Sequence, residues 1–180
     1  MTDWYHINNT DTIDTPALVF YPSRMEDNIL LLKSMIKDIS LLRPHIKTHK
    51  TREATLMMMK AGILKFKCAT IADAEMLGSR LAPDVLLVYQ PVGPKISRFI
   101  SLIKKYPTTK YSCLVDNFDS ASRISSAALD RKMVIPVYID LNVGIGRTGI
   151  APDRRALDLF DLCYLLYGIV PMGFIFMMGT

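Results

Sequence analysis

Short apolar runs alternate with helical patterns along almost the whole chain. PALVFY (16–21) has the β-branched and aromatic density of a strand, and the stretch from Ser23 has the 3.6-residue spacing of a helix. Ser23 and Glu26 have the spacing of a capping box, and Met25, Ile29, Leu32, Ile36 and Ile39 then mark one face. LLRPHIK (41–47) is read as a strand and 51–61 as a helix stopped by Gly62. Four strand–helix pairs follow: KFKCAT with the helix that Thr70 and Asp73 cap, DVLLVYQ with KISRFISLIKKY, YSCLVD with 118–131, and VIPVYIDL with 153–166. IVPMGFIF is a last strand.

Strands that alternate with helices, with no hairpin turn between them, must pair in parallel. VLLVY and VIPVYI lack polar alternation, so both of their faces are covered. The fold class is therefore α/β with a parallel sheet. An open doubly wound sheet and a (β/α)8 barrel both satisfy the pattern.

The chain has 180 residues, 50% hydrophobic and 22% charged, an ordinary globular composition for one domain. Its net charge of +5 is spread over helices, which argues against nucleic acid as a partner and suits a small anionic ligand. Cys68, Cys113 and Cys163 are odd in number and far apart, which points to reduced thiols in the cytoplasm. The polar start shows no secretory signal. The uncharged run from Leu162 is broken by Gly168 and Pro171, so it is read as a helix end and a buried strand, not a membrane span.

In either fold the chemistry gathers at the C-terminal strand ends. Those ends read HIKTHK, CATIAD, YQPVG, VDN and DLNVGIGRTG, far more polar than the opposite side. Alternation places Arg43, His45 and Lys47 on one face, with Lys47 last, at the mouth. A lysine in a partly dry site can serve as a neutral amine and form a Schiff base, with His45 and His49 as proton carriers. Equally, Lys47 can be a cation that steers a phosphate, with the histidines hydrogen-bonded only. GIGRTG matches the dinucleotide-binding glycine pattern but follows a late strand, and its helix starts only after Pro152, which excludes that role. It leaves Arg147 as a fixed cation able to hydrogen-bond a phenolate or carboxylate. Asp140 is read as fixing the loop.

DTPALV, RPHIKTHK, KCATIADAE, YQPVGP, LVDN and IDLNVGIGRTG, in that order, resemble the D-threonine aldolase and D-serine dehydratase family, of the alanine racemase fold type. The resemblance runs from about Asp14 to Gly173. It implies a (β/α)8 barrel that carries pyridoxal 5′-phosphate, and a second, mostly β domain to which residues 14–22 contribute a strand. It implies Lys47 as the catalytic, cofactor-binding lysine and Arg147 beside the cofactor's ring oxygen. His45, Gln90 and Asn142 are assigned to the mouth of the site. The substrate implied is a small D-β-hydroxy amino acid, and a homodimer is the expected assembly of a full-length parent.

Measured against that family, about six of eight barrel strands are expected here, with LLRPHIK as the first. Strands seven and eight, the C-terminal β domain and the divalent-metal ligands are expected only in a full-length parent, so the chain alone is expected to be inactive. GFIFMMGT stands where the family has a peptide like Gly-Leu-His-Phe-Tyr-Asp-Gly-His. Deleting one base from suitable codons for that peptide yields these eight residues and a stop, so 174–180 are read as out of frame. Met177 would then replace a family tyrosine near the cofactor ring. Two alternatives stand beside this reading: a non-catalytic pyridoxal-phosphate-binding protein, and an inert fragment of a frameshifted gene.

Overall fold

The computed structural model describes residues 3–177. Helix α1 (Pro22–Ser34) and α2 (Arg52–Lys60) precede a regular βα succession. This runs β1 (Lys65–Cys68), α3 (Ile71–Gly78), β2 (Asp84–Leu87), α4 (Pro94–Lys105), β3 (Lys110–Val115), α5 (Phe118–Leu129), β4 (Ile135–Leu141), α6 (Arg154–Leu165) and β5 (Ile169–Phe176). All five strands pair in parallel, in the order β1-β2-β3-β4-β5. Unbroken order decides between the two folds the sequence allowed. Crossovers of one hand that never reverse direction keep the helices on one side of the sheet, as in a barrel. A doubly wound sheet needs a reversal.

The expected boundaries of the four strand–helix pairs and of the last strand hold to within a few residues. Thr70 and Asp73 form the reciprocal capping box at the start of α3, with N–H to side-chain oxygen distances of 3.1 and 3.2 Å. Gly62 ends α2 at φ 90°, a left-handed conformation that favours glycine.

Two expectations need correction. LLRPHIK is not a sixth strand. It reaches the sheet through one parallel bridge, His45 to Lys67, and one hydrogen bond from the Lys67 N–H to the Pro44 carbonyl at 2.9 Å. Pro44 has no N–H to donate, and the chain turns into a 3-10 helix at Ile46–Thr48. Ser23 does not cap α1, because Pro22 already occupies the first turn and Tyr21 stands at the cap. Ile36 and Ile39 fall beyond the end of that helix. Residues 14–21 carry no strand pairing here, and Leu18, Val19 and Phe20 are exposed. Residues 178–180, the end of the stretch read as out of frame, lie outside the described residues.

The helix-covered face of the sheet forms the core, with Phe66, Cys68, Val85, Cys113, Val115, Val137 and Ile139 fully buried against α3 to α6. The opposite face carries Leu86, Ser112 and Leu114, also buried, and Lys67 and Tyr138, partly buried. At its N-terminal end Arg43 donates to Asp84 at 2.6 Å, so Arg43 anchors the bottom of the sheet, away from the mouth. The three cysteines are free and buried. No helix among the described residues is long and apolar enough to cross a membrane.

The turn from α6 into β5 depends on a close approach. Gly168 donates its N–H to Ser125 Oγ at 3.1 Å, and a Cβ at Gly168 would lie 2.7 Å from the Ser125 carbonyl carbon and 2.9 Å from its Cα. Backbone cannot yield as a side-chain tip can. Gly168→Ala is expected to cost about 2–3 kcal/mol, as overpacking does. Urea unfolding of wild type and variant measures it.

Candidate functional site

The C-terminal strand ends enclose a cavity of about 40 Å3 whose lining includes His45, Lys67, Gln90, Asp140, Arg147 and Thr148. Three of the expected site residues, His45, Gln90 and Arg147, therefore meet around one space. Asn142 lines a smaller neighbouring recess together with Arg147. Lys47 does not line the cavity. It is exposed in the 3-10 turn two residues past His45, and its backbone N–H bonds His45 Nδ1 at 3.1 Å. A larger cavity of about 310 Å3 opens on the far side of Tyr89, lined by Thr70, Leu87, Lys95 and Arg98 among others. None of the expected site residues borders it, so size does not locate the chemistry here.

Gln90 is buried and spans two carboxylates. Its Nε2 donates to Asp116 Oδ2 at 2.8 Å and to Asp140 Oδ2 at 3.4 Å. Asp116 also accepts the Gly149 N–H at 3.2 Å and Asn117 Nδ2 at 2.8 Å. Asn142 Oδ1 accepts the N–H groups of Gly144 and Gly146 at 3.2 and 3.0 Å. The Asn142 N–H donates to the Ile150 carbonyl and the Ile150 N–H to the Asp140 carbonyl, each at 2.9 Å, closing the base of the loop. Gly149 has φ +98°, and a Cβ there would stand 2.6 Å from the Asn142 nitrogen. Arg147 thus rides on a loop held at its base, along its inside and at its far end. Asn142 serves that loop, and Asp140 fixes it as the sequence suggested.

Electrostatics follow from burial. Desolvation is the main cause that raises the Asp140 pKa, and Asp116 adds to it, while Thr148, Gln90 and Arg147 oppose it. Desolvation lowers His45, and the neighbouring Lys47 and Lys67 lower it further. Desolvation also lowers His49, whose Nδ1 accepts the Thr51 N–H at 3.1 Å and whose Nε2 is buried without a partner. Lys67 and Arg147 have no carboxylate within ion-pair distance among the described residues. Lys67, Asp116 and Thr148 were not singled out in the sequence. VDN was visible as a polar strand end, and Lys67 sits one rung below another.

A raised carboxylate pKa means that the neutral form is favoured in the folded state. Its contribution to stability is full below the ordinary carboxylate range and is lost as pH rises through the folded-state pKa. Asp140→Asn, which stays neutral, is therefore expected to gain stability relative to wild type between pH 4 and pH 7. Urea midpoints at about these two pH values check the sign.

The sequence profile described as alanine racemase, N-terminal domain, matches residues 22–179. D-threonine aldolase of Arthrobacter sp. is 28% identical over 159 residues, 87% of this chain and 41% of that protein. D-threo-3-hydroxyaspartate dehydratase of Delftia sp. (strain HT23) is 25% identical over 149 residues, 82% of this chain and 39% of that protein. The crystal structure of D-threonine aldolase from Filomicrobium marinum superposes with a TM-score of 0.81 at 25% identity, covering 89% of this chain and 43% of that one. The chain thus spans about two fifths of the length of the curated relatives it matches. Its five-stranded parallel sheet is an incomplete part of an alanine racemase-type (β/α)8 barrel. With all but the first 21 residues and the last one inside the matched span, the chain belongs to the alanine racemase N-terminal domain family.

Proposed function

We propose that this chain is the N-terminal, cofactor-bearing portion of a pyridoxal-phosphate-dependent lyase acting on D-β-hydroxy amino acids, of D-threonine aldolase or D-serine dehydratase type. The observation that carries this reading is the convergence of His45, Gln90 and Arg147 on one cavity at the strand ends, with Lys47 beside it. Similarity to a D-threonine aldolase and a D-threo-3-hydroxyaspartate dehydratase supports the reaction class. The 180 residues alone are proposed not to turn over, since the relatives they match are more than twice as long. The divalent metal belongs, in this reading, to the full-length parent. So does the second domain, to which residues 14–22 would add a strand; exposed Leu18, Val19 and Phe20 suit such a partner. Three unpaired, buried cysteines suit a cytoplasmic protein.

The residues fit pyridoxal phosphate in chemistry. Lys67 and Arg147, without carboxylate partners among the described residues, and the exposed amine of Lys47 form a donor set suited to an anionic aldehyde. A cavity of about 40 Å3 takes a carboxylate-sized group and not a ring, so the ring would be held outside it. When bound, the cofactor supplies an electron sink for charge developing at the substrate's α-carbon. The protein binds, orients and moves protons. Lys47 would hold the cofactor through its amine, and Arg147 would donate to the ring oxygen from its fixed loop. His45 uses Nδ1 to accept from Lys47 N–H, so its neutral ring carries the proton on Nε2, the atom free to exchange one. The two lysines and desolvation favour that neutral ring. Gln90 keeps two carboxylates in place and so keeps Arg147 aimed.

Incubation with pyridoxal phosphate, borohydride reduction and peptide mapping test the assignment. The label is expected on Lys47 and is expected to fall at least about tenfold in Lys47→Ala. Labelling of another residue in wild type, or none, contradicts it. The out-of-frame reading of residues 174–180 is a separate proposal. Sequencing the gene past codon 180 is expected to reveal a shifted frame encoding the remaining family-like strands; an in-frame continuation discards it.

A further inference from the structure

RPHIKTHK sets a histidine on either side of Lys47, and the two rings make the same bond. His45 Nδ1 accepts the Lys47 N–H at 3.1 Å, and His49 Nδ1 accepts the Thr51 N–H at 3.1 Å. Each imidazole reaches forward along its own backbone to a task that Asp, Asn, Ser or Thr ordinarily performs. His45 is the N-cap of the 3-10 turn Ile46–Thr48, and Thr51 is the N-cap of α2. Lys47 lies between these two anchors. Ile46 is fully buried, and its carbonyl accepts the N–H groups of His49 and Lys50 at 3.2 and 2.8 Å. Lys50 closes the turn at φ 49°, a left-handed conformation uncommon for lysine. These bonds join near neighbours in residues 45–51 and need no other part of the barrel.

An imidazole differs from an amide cap in one respect. It accepts at Nδ1 only while that nitrogen is unprotonated; in the imidazolium both nitrogens donate, and the backbone N–H then faces another N–H. Burial opposes a proton on both rings. At His45, Lys47 in the turn and Lys67 on β1 oppose it as well, while Asp73 on α3 favours it. Asp140 and Arg147 line the same cavity from β4 and its loop. At His49 burial is the main cause, and the charged residues within three positions, Lys47, Lys50 and Arg52, are all cations.

We infer that His45 and His49 act as a pair of positioning residues: two neutral imidazoles clamp the turn that aims the Lys47 amine, and a proton on either ring releases its end of the clamp. The role of Lys47 rests on the proposed function. His49, which the sequence suggested as a proton carrier, acts here through the backbone and not on the substrate.

Amide hydrogen exchange on the 180-residue chain without cofactor reads the clamp directly. Protection factors, corrected for the intrinsic pH dependence of exchange, are expected to fall about fivefold at Lys47 and Thr51 between about pH 8 and about pH 5. The Val88 N–H, bonded to the Cys68 carbonyl at 2.9 Å, is expected to keep its protection. His45→Asn and His49→Asn are expected to retain the bond at their own ends and to lose its pH dependence. His45→Ala and His49→Ala are expected to lose protection there at every pH. Borohydride trapping of pyridoxal phosphate on Lys47 at about pH 8 is expected to fall about fivefold in His49→Ala and to recover in His49→Asn. Protection that is flat with pH in wild type overturns the inference. So does a pH dependence that persists in the asparagine variants, or trapping unchanged in His49→Ala. Trapping on a lysine other than Lys47 in wild type overturns the proposed function instead, and leaves the exchange result standing as a property of the turn.

Discussion

A single amide holds the site together. Gln90 Nε2 stands between the carboxylates of Asp116 and Asp140, which end two adjacent strands of the sheet. Burial raises the Asp140 pKa, and the nearby Asp116 charge adds to it. One donor shared between them eases that conflict, and the Gly149 N–H, the Asn117 amide and Thr148 take up more of the negative charge. The result is a loop whose far end is tied to the neighbouring strand, with Arg147 at its crest. That tie adds to the bonds from Asn142 and Ile150 in fixing a loop that contains Gly144, Gly146 and Gly149.

The same logic explains why the chemistry sits where it does. Parallel strands direct their carbonyl ends and the following loops to one edge, so every βα junction adds polar groups there. His45 comes from the segment before β1, Gln90 from the junction after β2, Asp116 from the end of β3, and Asp140 and Arg147 from β4 and its loop. His45 and Arg147, 102 positions apart in the sequence (147 − 45), mark how much chain must fold before that edge exists. At the opposite edge, the Arg43–Asp84 pair holds the first segment against β2.

Much of this was legible in the sequence because it depends on period and spacing. Four strand–helix pairs and a last strand follow from uninterrupted apolar runs and from caps such as Thr70 with Asp73. His45, Gln90 and Arg147 were legible as polar residues at strand ends. The parts that were not legible depend on partners distant in sequence. LLRPHIK has a strand's composition, but Pro44 removes a donor and β1 offers only four residues to pair with. PALVFY has the same composition and finds no partner among the described residues. Lys67 looks like one more charge in KFKCAT until the register of β1 turns it towards the cavity. Lys47 fits a strand-end lysine in the sequence, whereas the 3-10 turn carries it out beside His45.

The central claim is that an amine beyond the first segment and a guanidinium on the loop after β4 hold one ligand between them. A crystal structure of the chain grown with pyridoxal phosphate tests it most directly. The account predicts electron density continuous with Lys47 Nζ and a ring oxygen within hydrogen-bond distance of Arg147. Well-ordered cofactor density joined to a different lysine, or lodged in the larger cavity beyond Tyr89, would contradict it.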